Sequence, residues 1–233
     1  MIYLQKNPDE NIPSLFDTAC AMYGAIDEGL SYKLITYDDV KNGKYDLLIR
    51  KNLFVGSVEF MQMVFSRVGL EDVRLPMNSN RKSITMKLNE AKSLINVFIK
   101  PKHIKLFTGL VLDGCSYPIL NTFDGETEVL VYDVIHPNIV SEWRVYVNKN
   151  KILDSHFYSG ELTIHPDYTY VLDVINKNKE YDFPDTYVID IGILLDNKNI
   201  VIEYNDMWAI GNYGMPNYLY LMCLKERYFQ IVK

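Results

Sequence analysis

Two carboxylates and one amide stand close together late in the chain. The segments 187–195 (YVIDIGILL) and 199–205 (NIVIEYN) are apolar runs around a DNKN turn, the pattern of a β-hairpin. A tight turn that pairs Asp196 with Asn199 sets Asp190 opposite Asn205 and Gly192 opposite Glu203. Side chains alternate along a strand, so Asp190, Glu203 and Asn205 share one face. Opposite Cβ atoms then lie about 5 Å apart and diagonal ones about 7–8 Å. Oxygen ligands at that spacing hold hard divalent cations. Gly192 leaves open space beside Glu203. A hairpin with one solvated polar face has the same pattern.

Three other segments carry candidate groups. In FIKPKHIKLFTG (98–109), Lys100 ends an apolar strand just before Pro101, and Lys105, Thr108 and Gly109 begin the next strand. Two lysines on adjoining strand ends hold phosphate oxygens as point charges, or they are solvated loop lysines. EVLVYDVI (128–135) is an apolar run with one acid, Asp133. It is either a buried strand or a strand that becomes a linker whose backbone N–H and C=O read an adenine edge. In SEWRVYVNKNKI (141–152), alternation puts Glu142, Arg144 and Tyr146 on one face and Trp143, Val145 and Val147 on the other. An arginine beside carboxylates grips a phosphate or a substrate carboxylate bidentately, or makes a cross-strand ion pair.

The elements that position these residues fall into three stretches. Residues 1–75 alternate strands and helices, a small α/β layer. Its strands are expected at IYLQ, YKLIT (32–36) and YDLLIR (45–50), and helices at 14–23 and after Ser57, an N-cap followed by Met61, Val64, Phe65 and Val68 at helical spacing. PMNSNRK (76–82) is a polar boundary. Beyond it, INVFIK (95–100) and KLFTGLVL (105–112) read as neighbouring strands, and residues 143–147 and 151–158 as a hairpin. Helices are expected from Pro166 to about Lys177 and over 217–228. Antiparallel pairs dominate here, so this part is α+β.

Composition excludes other classes. The chain has 233 residues, 48% hydrophobic and 23% charged, which excludes a disordered chain. The net charge of −6 argues against an extended nucleic-acid surface. No apolar run is long enough for a membrane helix, and MIYLQKNPDEN is not a secretory signal. Cys20, Cys115 and Cys223 are scattered and odd in number, which points to a reducing cytosol. The four histidines show no metal-binding spacing, and Walker A, GxGxxG and GxSxG motifs are missing. Trp208, Asn212, Tyr213 and Gly214, after the second hairpin strand, either line an acceptor pocket or form a turn packed on the last helix.

The ordered set resembles the ATP-grasp superfamily: a lysine strand, an apolar linker, an arginine strand, then an aspartate strand paired with a Glu-x-Asn strand. FVGSVEF (54–60), FIKP, FTG, EWRV and IEYND are similar to the clade named for two arginines and a lysine, frequent in phage genomes. The resemblance covers roughly residues 45–214. It implies a pre-ATP-grasp layer (1–75) and two α+β lobes (76–128 and 129–233) closing on ATP. It implies that Lys100, Lys105 and Thr108 hold phosphates, that Val131, Tyr132, Asp133 and Val134 hold adenine, and that Asp190, Glu203 and Asn205 hold magnesium. Arg144 matches one clade arginine. Arg50 is chosen as the other, as an acceptor-binding catalytic residue, with Arg81 its rival. PKHIKLFTG, with a single glycine, departs from the Gly-rich phosphate loop of many ATP-grasp proteins.

The expected activity is a cytoplasmic, ATP- and magnesium-dependent carboxylate–amine ligase, in a bacterial or phage-infected cell, that forms an amide through an acylphosphate. Its partner is a small-molecule or peptide acceptor. Phosphoryl transfer to a non-carboxylate acceptor and a non-catalytic nucleotide-binding role use the same residues.

Overall fold

The computed structural model describes residues 1–71, 73, 75, 83–102, 106–134 and 139–233. The first layer contains β1 (Ile2–Gln5), α1 (Phe16–Asp27), β2 (Tyr32–Ile35), α2 (Tyr37–Lys41), α3 (Asp46–Ile49), β3 (Leu53–Val55) and α4 (Val58–Ser66). Its sheet has the order β2-β1-β3, all parallel. Ser57 Oγ accepts the Phe60 N–H at 3.1 Å and starts α4, which buries Phe60, Met61, Val64 and Phe65. The strand expected at 45–50 is α3 instead. Tyr45 and Ile49 are buried one helical turn apart while Leu47 is 89% exposed, a helical face and not an alternating one. The third strand is the fully buried LFV that follows.

The second unit contains β4 (Ser83–Lys87), α5 (Leu88–Ala91), β5 (Val97–Pro101), β6 (Leu110–Leu112) and β7 (Glu128–Asp133). Its antiparallel sheet has the order β4-β7-β5-β6. Ile99, Val129 and Val131 pack on Leu88, Ala91, Leu112 and Leu120. The opposite face carries Phe98, Lys100, Leu130 and Tyr132. β7 bonds to both β4 and β5, so this sheet continues to Asp133, past the division expected at 128/129. β6 is shorter than expected. Thr108 is exposed in the loop before it, and Gly109 lies under the Phe98 ring, where a Cβ would come within 2.2 Å of Phe98 Cζ. Lys105 and Arg81 lie outside the described residues.

The third unit contains β8 (Ile139–Asn148), β9 (Lys151–Gly160), α6 (Tyr168–Asn178), β10 (Thr186–Leu194), β11 (Asn199–Asp206) and α7 (Asn217–Ile231). The sheet order is β11-β10-β8-β9, all antiparallel. Lys149 and Asn150, at φ 48° and 61°, form the two-residue turn between β8 and β9. One face packs Val145, Val147, Tyr187, Ile189 and Ile191 on Val171, Val174 and Ile175 of α6. The other face carries the polar residues of interest. Among the described residues, no helix is long and apolar enough to cross a membrane.

The β10–β11 register differs from the tight-turn expectation. The Leu194 N–H donates to the Lys198 carbonyl, so the turn is wider, and Ile193 pairs with Asn199, Gly192 with Ile200 and Ile191 with Val201. Continued regularly, that register would set Ile202 opposite Asp190 and turn Glu203 to the other face. A bulge skips Ile202 and leaves Asp190 paired with Glu203 and Val188 with Asn205. The three side chains therefore do share a face, but Gly192 is not beside Glu203. A Cβ on Gly192 would sit 3.2 Å from both Ile200 and Ile202, so the glycine makes room for the bulged residue.

The last helix closes the first layer. Gly24 of α1 lets α7 approach so closely that a Cβ there would lie 2.3 Å from the Asn217 carbonyl oxygen. Leu221, Leu224 and Tyr228 join the core of residues 2–65. Gly192→Val should press on Ile202 and cost about 1–3 kcal/mol, read from urea unfolding. An unchanged midpoint would show that the bulge does not need the glycine.

Candidate active site

One row of paired residues crosses the four-stranded sheet. Glu203 on β11 pairs with Asp190 on β10, Asp190 with Arg144 on β8, and Arg144 with His156 on β9. The predicted face of β8 is the observed one: Glu142, Arg144 and Tyr146 lie on the side of Asp190. Arg144 Nε and one terminal nitrogen donate to the two Asp190 carboxylate oxygens, each at 2.8 Å. Both residues are buried, Arg144 at 7% and Asp190 at 1% exposure. Asn205 Nδ2 donates to Asp190 Oδ2 at 3.0 Å and to Glu203 Oε1 at 3.2 Å. Lys100 reaches across from β5 and donates to Glu203 Oε2 at 2.9 Å, with its Nζ 5.4 Å from the centre of the Tyr132 ring.

The structure thus brings Lys100, Arg144, Asp190, Glu203 and Asn205 into one hydrogen-bonded cluster. Burial pushes the Asp190 carboxyl up from its ordinary value, against the pull of Arg144. Burial acts the same way on Glu203, but the charge and hydrogen bond of Lys100 and the bond from Asn205 prevail and hold it low. Burial also works against the Arg144 charge, and Asp190 more than offsets it, so the guanidinium stays protonated.

Among the described residues, no group of three or more His, Cys, Asp or Glu is arranged to hold a metal ion. The donor set of Asp190, Glu203 and Asn205 is nonetheless chemically suited to a hard cation, since it offers two carboxylates and one amide oxygen. In this state positive or N–H groups satisfy all four carboxylate oxygens: Arg144, Asn205 and Lys100 stand where a cation's charge would act. Asn205 presents its nitrogen to both carboxylates and would have to turn its amide over to offer its oxygen.

Other expected residues are placed differently. Tyr132 is on the cleft face of β7, Asp133 is exposed at its end and Val134 follows the strand, but the Val131 side chain is in the core of the second unit. Only the backbone of Val131 remains for a ligand. Arg50 is not brought to the cluster. It follows α3, and its guanidinium donates to the carbonyls of Val232 at 2.6 Å, Lys233 at 3.0 Å and Val68 at 3.2 Å. There it ties residues 232–233 to the first layer, away from the cluster.

The loop after β11 supplies groups that sequence reasoning left undecided. Asn212 is buried; its N–H donates to Asp17 and its Oδ1 accepts from the Gly214 N–H. Tyr146 Oη donates to the carbonyls of Gly211 and Asn212. So anchored, the loop sets Tyr213, at φ 52°, over Arg144, with the guanidinium carbon 4.5 Å from its ring centre. Tyr158 flanks the same guanidinium at 5.7 Å and donates to Glu142 Oε2 at 2.5 Å. Trp208 instead packs edge-on against Phe65 of the first layer. The alternation of Asp154, His156 and Tyr158 across the β8–β9 turn was the signal for that half of the site.

A lysine-bearing sheet facing an arginine–carboxylate sheet, behind an α/β layer, is the ATP-grasp architecture. Residues 79–223 match the family model of the ATP-grasp domain, family 2 of the clade named for two arginines and a lysine. The match spans more than half of the chain, and the chain belongs to that family. No curated protein matches the sequence. Among solved structures, D-alanine–D-alanine ligase from Bacillus anthracis complexed with ATP is 12% identical, with a TM-score of 0.56 over 99% of this chain and 97% of that one. A RimK domain ATP-grasp protein from Sphaerobacter thermophilus is 9% identical, with a TM-score of 0.53 over 99% and 97%. N5-carboxyaminoimidazole synthetase from Staphylococcus aureus complexed with ADP is 10% identical, with a TM-score of 0.53 over 97% of this chain and 77% of that one. At these identities the likeness is one of fold.

Breaking the buried pair should cost more than replacing it. Arg144→Met strands the Asp190 charge and should lose about 3–5 kcal/mol in urea unfolding, and adding Asp190→Leu should recover much of it. Additive losses would show that the two residues do not depend on each other.

Proposed function

We propose that the chain is an ATP- and magnesium-dependent carboxylate–amine ligase that forms ADP and passes through an acylphosphate. The observation that carries this reading is the 2.9 Å contact that joins Lys100 of one sheet to the Glu203–Asp190–Arg144 row of the other. It brings a lysine, two carboxylates and an arginine to one point between two sheets, which supports phosphate, cation and carboxylate binding there. The fold shared with ligases whose structures contain ATP or ADP supports the same reading.

In this reading Lys100 holds phosphate oxygens, helped by Lys105 and Thr108 of the following segment. Tyr132, Asp133 and Val134, with the Val131 backbone, hold the adenine. Asp190, Glu203 and Asn205 hold magnesium, which supplies positive charge against the phosphates. Arg144 aligns the substrate carboxylate. One carboxylate oxygen attacks the γ-phosphorus, the bond to the β-phosphate oxygen breaks and ADP leaves. An amine then attacks the acyl carbon and phosphate leaves, which forms the amide. The acceptor is a small molecule or a peptide. Three free, scattered cysteines fit a reducing cytoplasm.

The test uses a mixture of the proteinogenic amino acids as the carboxylate source. Magnesium-dependent release of ADP, not AMP, should follow. Arg144→Lys should reduce it by about 10²-fold or more, because lysine cannot reproduce the fork. AMP as the product, or full activity in Arg144→Lys, would sink this mechanism.

A further inference from the structure

The row that holds Asp190 and Arg144 continues to a residue the reaction above does not use. His156 pairs with Arg144 and lies on the same face of the sheet, so their Cβ atoms are about 5 Å apart. Its Nε2 is buried, 2.9 Å from Asp154 Oδ2 but off the hydrogen-bond direction, and has no hydrogen-bond partner. Carboxylate–imidazole pairs in ligand-free enzymes are often misaligned in this way and tighten when substrate binds. The other nitrogen, Nδ1, faces Gly214. There a Cβ would come within 3.4 Å of it, so the glycine keeps a side chain away from this edge of the ring.

The surroundings suit an amine. The Tyr158 and Tyr213 rings lie 5.6 Å apart and both flank Arg144. The Tyr146 ring lies 6.2 Å from the imidazole. Among the described residues, the titratable and charged groups that face His156 are Asp154 and Tyr158 on its own strand, Arg144 and Tyr146 on β8, and Tyr213 over Arg144 in the loop, with Glu142 one step further along β8 and bonded to Tyr158. The Tyr158 and Tyr213 faces hold the Arg144 guanidinium, and the carboxylates of Asp154 and Glu142 offset its charge and attract a second cation such as an ammonium. Tyr213 keeps a left-handed backbone that a bulky side chain rarely adopts, held by Asn212, Asp17 and Tyr146. The loop sets Tyr213 over Arg144 and its neighbour Gly214 beside His156.

We propose that His156, oriented by Asp154, is the base that takes a proton from the incoming ammonium beside Arg144. This rests on the ligase reading and adds to it the group that makes the amine a nucleophile. An ammonium has no lone pair to attack with. One proton passes to His156, and the freed nitrogen pair forms the N–C bond as the carbonyl opens to an alkoxide. The alkoxide collapses, the C–O bond to the phosphate breaks, and phosphate leaves with its electron pair and the second nitrogen proton. The products are amide and inorganic phosphate, and His156 returns its proton to water. Asp154 acts through the imidazole and is a positioning residue.

The experiment compares two amines on the full chain with magnesium-ATP and the amino-acid mixture. Hydroxylamine, uncharged at neutral pH, traps acylphosphate as hydroxamate without a base. The amino acids, charged at that pH, give dipeptide only after losing a proton. In His156→Gln the ratio of dipeptide to hydroxamate should fall about 10²-fold or more. In Asp154→Asn it should fall by a smaller factor. The dipeptide rate of His156→Gln should climb about tenfold per pH unit as the solvent deprotonates the amine. Hydroxamate formation reports on folding in the same tubes. A wild-type ratio in His156→Gln, or loss of both products together, overturns the assignment of His156 while wild-type hydroxamate upholds the ligase reading. No hydroxamate from the wild-type chain overturns the ligase reading, and the base with it.

Discussion

The ion pair between Arg144 and Asp190 is the constraint to which the rest of the site conforms. Both charges are almost wholly buried, and each would be very costly alone. Their fork holds β8 and β10 in register, and Asn205 joins Asp190 to Glu203. Lys100 then neutralises Glu203 from the facing sheet. The four charged groups balance in sign, which lets two carboxylates lie on neighbouring strands without strong repulsion. An anion entering this cleft draws Lys100 or Arg144 away from its carboxylate, and a cation that arrives with the anion restores the balance. Under the proposed function, this charge balance suits a nucleotide that brings its own metal.

The loop 207–215 links this electrostatic site to the packing of the whole molecule. Met207 and Met215 at its ends are buried in the core that holds the first layer. Asp17 of α1 and Tyr146 of β8 fix its centre. A small first layer of three strands therefore shapes the site through Asp17 and the core it shares with this loop.

Much of this was legible in the sequence because strand faces depend on parity alone. The tight-turn pairing was wrong in register, but the wider turn and the bulge together shift it by an even number of residues opposite Asp190. Asp190, Glu203 and Asn205 stayed on one face, and Glu142, Arg144 and Tyr146 joined them. The bulge itself was hidden, because nothing local to Ile202 distinguishes it from its apolar neighbours. YDLLIR failed because four apolar residues fit a short helix as well as a strand. The place of Arg50 was hidden as well, since its partners are the carbonyls of Val232 and Lys233, far from it in sequence. Val131 could not be separated from Tyr132 until the core side of β7 was known. The place of His156 and Asp154 beside Arg144 is hidden too, because the spacing of the histidines speaks only to metal binding, and the pairing of β8 with β9 is what continues the arginine's row.

The packing of α7 against α1 and β3 bears on how the chain acquires its shape during synthesis. Residues 2–66 hold the parallel sheet and the helices α1 to α4, but their core is completed by Leu221, Leu224 and Tyr228. Residues 67–216 separate the layer from the helix that covers it, so translation must run through residue 228 before that surface is closed. Contacts so distant in sequence are slow to form. The nascent layer therefore spends most of translation with an apolar flank open, the condition in which a chaperone or a neighbouring chain competes most effectively with the native helix.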